Sequence, residues 1–154
     1  MPQTEVIQGV EELSRKITQM TAEIVNRAMP DALYFGGQAL ERSVKKSITN
    51  KHLILTSNYK DSITTERMKD GNTVVFTNTI YSRIHEFGGT ITVRDAPFLV
   101  FPIGRGENQV WVRVKSVKMP ARPHWRPALV EGQKDILDNI VGTLEKAHAQ
   151  YAER

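Results

Sequence analysis

Few residues of this 154-residue chain have the types and spacing that catalysis requires. His85 and Glu86 form half of the H-E-x-x-H helix of zinc proteases, but position 89 is a glycine where the second histidine would stand. The four histidines lie far apart in the sequence and show no metal-ligand spacing. The sequence therefore predicts no metal site and no cofactor.

Motifs for nucleophilic and phosphate chemistry are also missing from the sequence. The run Gly104-Arg105-Gly106 is too short for a phosphate-binding loop, and no G-x-S-x-G elbow occurs. We expect a protein that is not an enzyme, with His85 and Glu86 as exposed positions on a short helix. A small hydrolase using this pair is the alternative, and a His85→Ala variant would test it.

A proline-rich segment, residues 118–129, is the most unusual stretch of the chain. Its three prolines fix φ and favour extended geometry in the residues before them, so a stiff extended arm is predicted. Trp125 and the neighbouring arginines are residue types that dominate protein interfaces. A core position for Trp125 is an equally good interpretation, because large aromatic side chains also dominate cores.

Basic residues cluster around this arm. Residues 105–126 hold six arginines and lysines against one glutamate, a net charge of +5 within a chain of +4. Such residues protect sheet edges, bind an acidic protein partner or contact nucleic-acid phosphates. We favour an edge or a protein partner, because only Trp111 and Trp125 are available for base stacking; a nucleic-acid-binding module using Arg105–Arg126 is the alternative function.

Two helical patterns enclose a region of strands. Apolar residues at steps of three and four predict a helix from Val10 through Ala28, and Pro30 either kinks it or divides it from a second helix that Asp31 caps. Gly36-Gly37 is expected to weaken this second half. A long amphipathic helix is predicted from Leu129 onwards.

The region between the helices alternates in the manner of strands and turns. A hairpin is predicted around Asp70-Gly71, a short helix over Thr79–Phe87, and a helix end at Gly88-Gly89. The remaining predicted strands are residues 52–58, 90–93, 97–103 and 110–114. This order predicts an α+β fold, with two long helices packed on a mostly antiparallel twisted sheet.

Length and composition are those of one soluble domain spanning residues 1–154. The hydrophobic fraction is 40% and the charged fraction 25%, which is ordinary for a globular protein. No signal peptide, membrane span or membrane partner is predicted. The absence of cysteine suits assembly in a reducing cytoplasm.

Two segments resemble a known family. Residues 81–91 (YSRIHEFGGTI) are similar to the Y-x-R-x-x-E-F-G-G-x-I segment of tailed-phage virion-morphogenesis proteins. Residues 118–129 (KMPARPHWRPAL) are similar to their M-P-A-R-P-F-x-x-P-A-L segment, although His124 stands where the family usually has phenylalanine. The order of helices and strands matches as well. The chain thus resembles the tail-completion or neck proteins, including the phage Mu G-like group.

The resemblance implies a virion structural protein at the head-proximal end of the tail, joining tail to head. Its implied partners are identical copies in a ring, tail-tube or tail-terminator proteins, and head–tail connector proteins. DNA would pass such a ring without specific binding. A ring needs two different patches on each subunit, and the Gly88-Gly89 corner and the proline arm are the two candidates. The predicted interface residues are Tyr81, Arg83, Glu86, Phe87, Gly88, Gly89, Arg122, Pro123, Trp125 and Arg126.

Overall fold

Two long helical stretches frame a set of short strands in the computed structural model, which describes residues 3–51, 53, 58–104 and 106–152. Helix α1 (Gln3–Glu23) continues through a π-helical turn (Ile24–Ala28) into α2 (Met29–Asn50). The other elements follow in chain order: α3 (Asn58–Asp61), β1 (Ile63–Arg67), β2 (Thr73–Thr77), α4 (Ser82–Phe87), β3 (Gly89–Thr92), β4 (Leu99–Ile103), a 3-10 turn (Gly106–Asn108), β5 (Val110–Val114), β6 (Ser116–Met119) and α5 (Trp125–Ala152).

The π-helical turn lets the first helix run past Pro30 without breaking. Proline has no N–H to donate, and its ring crowds the carbonyl four residues earlier. The turn just before it is widened, so that the Met29 N–H donates to the Ile24 carbonyl. One long helix is therefore observed. The prediction that Asp31 caps a new turn is wrong, because its carboxylate instead accepts a hydrogen bond from the Arg67 guanidinium at 2.6 Å.

Small residues bring α2 and α5 close together. A Cβ on Gly36 would lie 2.7 Å from Ile140 Cγ1, and one on Gly132 would lie 2.7 Å from Ser43 Oγ. Across this contact the Ser43 hydroxyl donates to the Ala128 carbonyl at 2.7 Å. The glycines of α2, which by propensity weaken a helix, are thus the positions that permit its closest packing.

Strand pairing is antiparallel and divided among three two-stranded sheets, β1–β2, β3–β6 and β4–β5. The α+β class is confirmed, with the predicted sheet present as these separate pairs. The hairpin around Asp70-Gly71 is confirmed too, with Gly71 at a φ of 85°. Of the predicted strand 52–58, residues 52 and 54–57 lie outside the described residues, and Asn58 begins α3.

The core lies where α2, the start of α5 and the β1–β2 hairpin meet. Its fully buried side chains include Val44, Ile48, Tyr59, Ile63 and Ala128. Leu40, Val75 and Trp125 cover its margin. Trp125 therefore stabilises the fold, as one of its two interpretations predicted.

The proline segment is shorter as an extended arm than predicted. Residues 118 and 119 end strand β6, residues 120–124 have no regular secondary structure, and α5 begins at Trp125 instead of Leu129. Pro127 lies in the first turn of α5, where the helix does not need a backbone N–H as a donor. The sequence rule that a proline interrupts a helix therefore placed the start of α5 four residues too late.

Two elements project from this core. The first is α1, which makes its main contacts with the π-helical turn that continues it, and touches the end of α5 where the Tyr151 hydroxyl donates to the Lys16 carbonyl at 3.2 Å. The second is the β ribbon, residues 89–119, in which β3 pairs with β6 and β4 with β5. Strands β4 and β5 pack chiefly on each other within the described chain.

Candidate functional site

The two segments that carry the family resemblance meet at one corner of the molecule. The Arg122 N–H donates to the His85 carbonyl at 2.7 Å. A Cβ on Gly88 would lie 2.7 Å from the Ala121 nitrogen, and Gly88 has a φ of 68°. Glycine is therefore required there for two reasons, the close approach of the backbone and the left-handed conformation. We call this the α4–α5 corner: α4, Gly88 and residues 120–126. The two patches expected from the sequence are therefore one surface.

Glu86 holds the corner together by capping α5 from 38 residues away. Its carboxylate accepts hydrogen bonds from the backbone N–H groups of His124 (2.7 Å), Trp125 (3.0 Å) and Arg126 (3.2 Å). These are donors that the first turn of a helix leaves without intrahelical partners, and a negative charge there also favours the helix dipole. The prediction that Glu86 is exposed is wrong, because its side chain is only 10% exposed.

The environment of Glu86 acts on its pKa in two opposing directions. Burial disfavours the charged carboxylate, whereas the three backbone donors favour it, and the donors prevail to lower the pKa of Glu86 below its ordinary value. Glu86 is thus a charged cap at neutral pH. Its geometry supports a structural role, because both carboxylate oxygens accept backbone hydrogen bonds.

Beneath the cap lies a buried polar network centred on His124, which is 0% exposed. Its Nδ1 lies 3.1 Å from the Arg122 carbonyl and 3.2 Å from Glu86, two acceptors, so we assign the ring proton to Nδ1. Nε2 then accepts from the hydroxyl of Tyr59. Burial is the main cause that raises the pKa of Tyr59, which keeps that hydroxyl protonated.

Ser82 extends this network to α4. Its hydroxyl lies 2.7 Å from the Tyr59 oxygen and 3.4 Å from Trp125 Nε1, which donates to it. His124 itself, at the place where the family usually has phenylalanine, occupies the buried position. A histidine is stable there because both of its ring nitrogens have partners.

His85 packs at the margin of the same network. Its ring stacks on Tyr59 at a centroid distance of 6.0 Å and is half-buried. Burial, followed by the nearby His124 and Arg122, lowers the pKa of His85. Its Nδ1 is buried and has no hydrogen-bond partner among the described residues. The prediction that His85 is exposed is therefore wrong as well.

A groove of about 580 Å³ opens beside the corner. Phe87, Trp125 and Leu129 supply apolar walls, and Arg83 and Arg126 stand along it. Phe87 and Leu129 are 66% and 53% exposed, which is high for large apolar side chains. Apolar and positively charged side chains therefore lie side by side along this groove, together with the carboxylate of Glu86.

The structure sorts the predicted interface residues into two groups. The exposed ones are available to a partner: Tyr81, Arg83, Phe87, Gly89, Arg122, Pro123 and Arg126. Glu86, Gly88 and Trp125 are half-buried and hold the corner in shape. The sequence did not single out Tyr59 and Ser82, and it marked His124 only as a departure from the family pattern. Hydrogen bonds join these three residues across long sequence separations, so no local pattern pointed to their network.

The described residues also bear on nucleic-acid, metal and membrane sites. The basic residues are spread along the β ribbon and the corner, and Arg105 lies outside the described residues. Among the residues described, no three His, Asp or Glu side chains are grouped to hold a metal ion. None of the described helices combines the length and apolar character of a membrane span.

Comparison with known proteins agrees with the sequence resemblance. No curated protein and no solved structure gave a significant match. The model of the phage virion morphogenesis family, in contrast, matches residues 8–146, which include α2, the β ribbon, the corner and most of α5. The chain belongs to the phage virion morphogenesis family.

Proposed function

We propose that this protein is a non-enzymatic subunit that completes the head-proximal end of the phage tail and joins it to the head, as a ring of identical copies. Family membership supports a role in virion assembly. The observation that carries the finer proposal is that one subunit leaves two unlike apolar elements, α1 and the β ribbon, largely uncovered.

Exposed apolar side chains mark both elements. On α1, Val10, Leu13 and Ile17 are 61%, 59% and 51% exposed; on the ribbon, Val110 and Trp111 are 63% and 67% exposed. Surfaces of this kind on a small protein mark places where another chain binds. Two different patches on one subunit are also what a closed ring of identical copies requires.

The α4–α5 corner supplies a third surface, suited to a different partner. The Glu86 cap and Gly88 hold its backbone rigidly, so little ordering is needed on binding. Arg83, Arg122 and Arg126 give it positive charge around exposed Phe87. We assign this surface to the adjoining tail or connector protein, which would present acidic and apolar side chains to it.

Loss of the gene from the phage that encodes it tests the function directly. We expect filled heads and separate tails by electron microscopy, with joining restored by the wild-type protein supplied from a plasmid. Tails of normal length would indicate tail completion or a neck adaptor, whereas overlong tails would indicate a terminator that stops tail growth. Normal attached virions in the absence of the protein would overturn the proposal.

A charge reversal at the corner tests the assigned partner surface. Arg122→Glu/Arg126→Glu should abolish head–tail joining while leaving the fold intact, because both side chains are exposed. Lys69→Glu, an exposed reversal in the turn between β1 and β2, is the matched control and should restore joining fully. If the double variant also restores joining, the corner does not bind the partner.

A further inference from the structure

The distal half of the β ribbon, β4–β5, carries an apolar face that is partly exposed. In the distal pair β4–β5, the register places six apolar side chains on one face: Leu99, Phe101, Ile103, Val110, Val112 and Val114. Ile103 and Val110, near the tip, are 55% and 63% exposed, and the other four are half-buried. On the opposite face, Val100 and Trp111 are 53% and 67% exposed. A two-stranded ribbon is marginally stable in water unless a further strand or a helix packs on its apolar face.

Helix α1 carries an apolar stripe that is largely exposed, and Leu13 and Ile17 of this stripe border a groove beside Tyr151 and Ala152 at the end of α5. Val10, Leu13 and Ile17 recur at steps of three and four, so they form one line on the helix. The distance from Val10 to Met20 is about 15 Å along a helix axis. A five-residue strand such as β4 is about 17 Å long, so the stripe and the ribbon face match in length.

The net charges of α1 and the β ribbon have opposite signs, which favours pairing between them. By sequence, α1 holds four glutamates against two basic residues, a net charge of −2. The β ribbon holds five basic residues against two acidic ones, a net charge of +3. Opposite charge steers association and disfavours self-pairing of either element, since each would then face a copy of like charge.

The two elements leave the body at opposite ends of α5. Tyr151, near the end of α5, contacts Lys16 of α1, whereas the ribbon ends at Met119, shortly before α5 begins at Trp125. About 39 Å of helix separates Trp125 from Tyr151. The placement therefore favours contact between neighbouring copies over contact within one chain.

We infer that the apolar face of the β4–β5 pair is the docking site for α1 of a second copy of this chain. This contact joins unlike surfaces, so it propagates from copy to copy and closes into a ring where the rotation permits. The inference rests on the proposed ring and names the surfaces that form it.

The absence of cysteine from the sequence makes disulfide trapping a clean test. Leu13→Cys and Val112→Cys chains, carrying tags of different mass, are mixed under mild oxidation and separated without reductant. We expect a mixed dimer in several-fold excess over either homodimer. The controls Glu11→Cys and Arg113→Cys place the thiols on the opposite faces of helix and ribbon and should lose the mixed product.

Other products would overturn the inference. A predominant Leu13→Cys homodimer would mean that α1 pairs with itself, and a Val112→Cys homodimer would mean that ribbons pair with each other. No cross-link in a protein that native mass spectrometry shows as rings would remove this contact and leave the proposed function standing. A mixed dimer in a protein that heads and tails do not need would keep the contact and remove the function.

An independent variant tests the contact without oxidation. Leu13→Asp should keep the fold, because the side chain is 59% exposed in the single chain, and should lose the oligomer. Glu11→Asn, two residues away on the opposite side of the helix, should keep both. An oligomer that survives Leu13→Asp would contradict the docking site.

Discussion

At the scale of single residues, the corner depends on a carboxylate and a glycine that do different jobs. Glu86 supplies the acceptor that the first turn of α5 lacks, and Gly88 lets the chain pass within van der Waals distance of residue 121. Neither role is visible as an exposed functional group. Their positions in the family-like segment are therefore explained by folding, and the proposed partner contact involves their exposed neighbours.

Gly88→Ala tests the close approach. Gly88 and Gly106 both have positive φ, 68° and 60°, but only at Gly88 would a Cβ meet backbone atoms. We expect Gly106→Ala to lower the free energy of unfolding by about 1 kcal/mol, the ordinary cost of a side chain at positive φ. Gly88→Ala should cost clearly more in a denaturant titration. Equal losses would mean that the contact with residue 121 adds nothing.

Glu86→Gln tests the charged cap through its pH dependence. The pKa of Glu86 is lowered in the folded state, so the stabilisation is fully present above its ordinary pKa and is lost as the pH falls through the lowered value. Wild type should exceed the variant by about 2 kcal/mol at neutral pH, near the upper end for a helix cap. Melting of both proteins from neutral to acidic pH should show the difference shrinking. A difference independent of pH would argue against a charged cap.

At the scale of elements, the proline segment contributes both to core packing and to the proposed partner surface, and different substitutions test the two roles. Trp125 packs against the core. Trp125→Ala should therefore lower the free energy of unfolding of the protein by about 3 kcal/mol, the usual cost of truncating a buried aromatic side chain. Arg122→Ala, at an exposed position, should melt like wild type yet weaken head–tail joining. Thermal melts and phage complementation give the two readouts. Unchanged melting of Trp125→Ala would show that this side chain adds little to the core.

Element types followed from local patterns, whereas element ends often did not. Periodicity found the long helices, and Asp70-Gly71 and Gly88 correctly marked a turn and a helix end. The start of α5 was missed because Glu86, far away in sequence, supplies its cap, and Asp31 was misassigned because Arg67 engages it. Local rules fail where a tertiary hydrogen bond replaces a local one.

The same limit applied to the candidate site. The sequence placed the family-like segments as two separate patches, since nothing local shows that residues 85 and 122 are hydrogen-bonded. The uncovered face of the β4–β5 pair was also beyond reach, because alternation reveals one buried face per strand without saying what covers it. Only the register and the packing of the folded chain supply that information.

At the scale of the whole molecule, the described chain divides into a body with a buried core and two elements, α1 and the β ribbon, that make few contacts with that body. The body is held by α2, α5 and the β1–β2 hairpin, with its core far along the sequence from both the start of α1 and the tip of the ribbon. If the proposed ring forms, a subunit built this way should fold as a monomer before its copies meet. Stability and assembly should therefore be separable by deletion.

A ribbon-shortened variant, with residues 99–114 replaced by a short Gly-Asn turn, tests this division. Because β4 and β5 pack chiefly on each other, the shortened chain should melt at the wild-type temperature when both are dilute monomers. It should fail to form oligomers in native mass spectrometry and fail to restore head–tail joining. The Lys69→Glu protein should assemble normally beside it. A large fall in melting temperature would show that the distal ribbon belongs to the body, and normal assembly would show that the apolar face of β4–β5 is not a subunit contact.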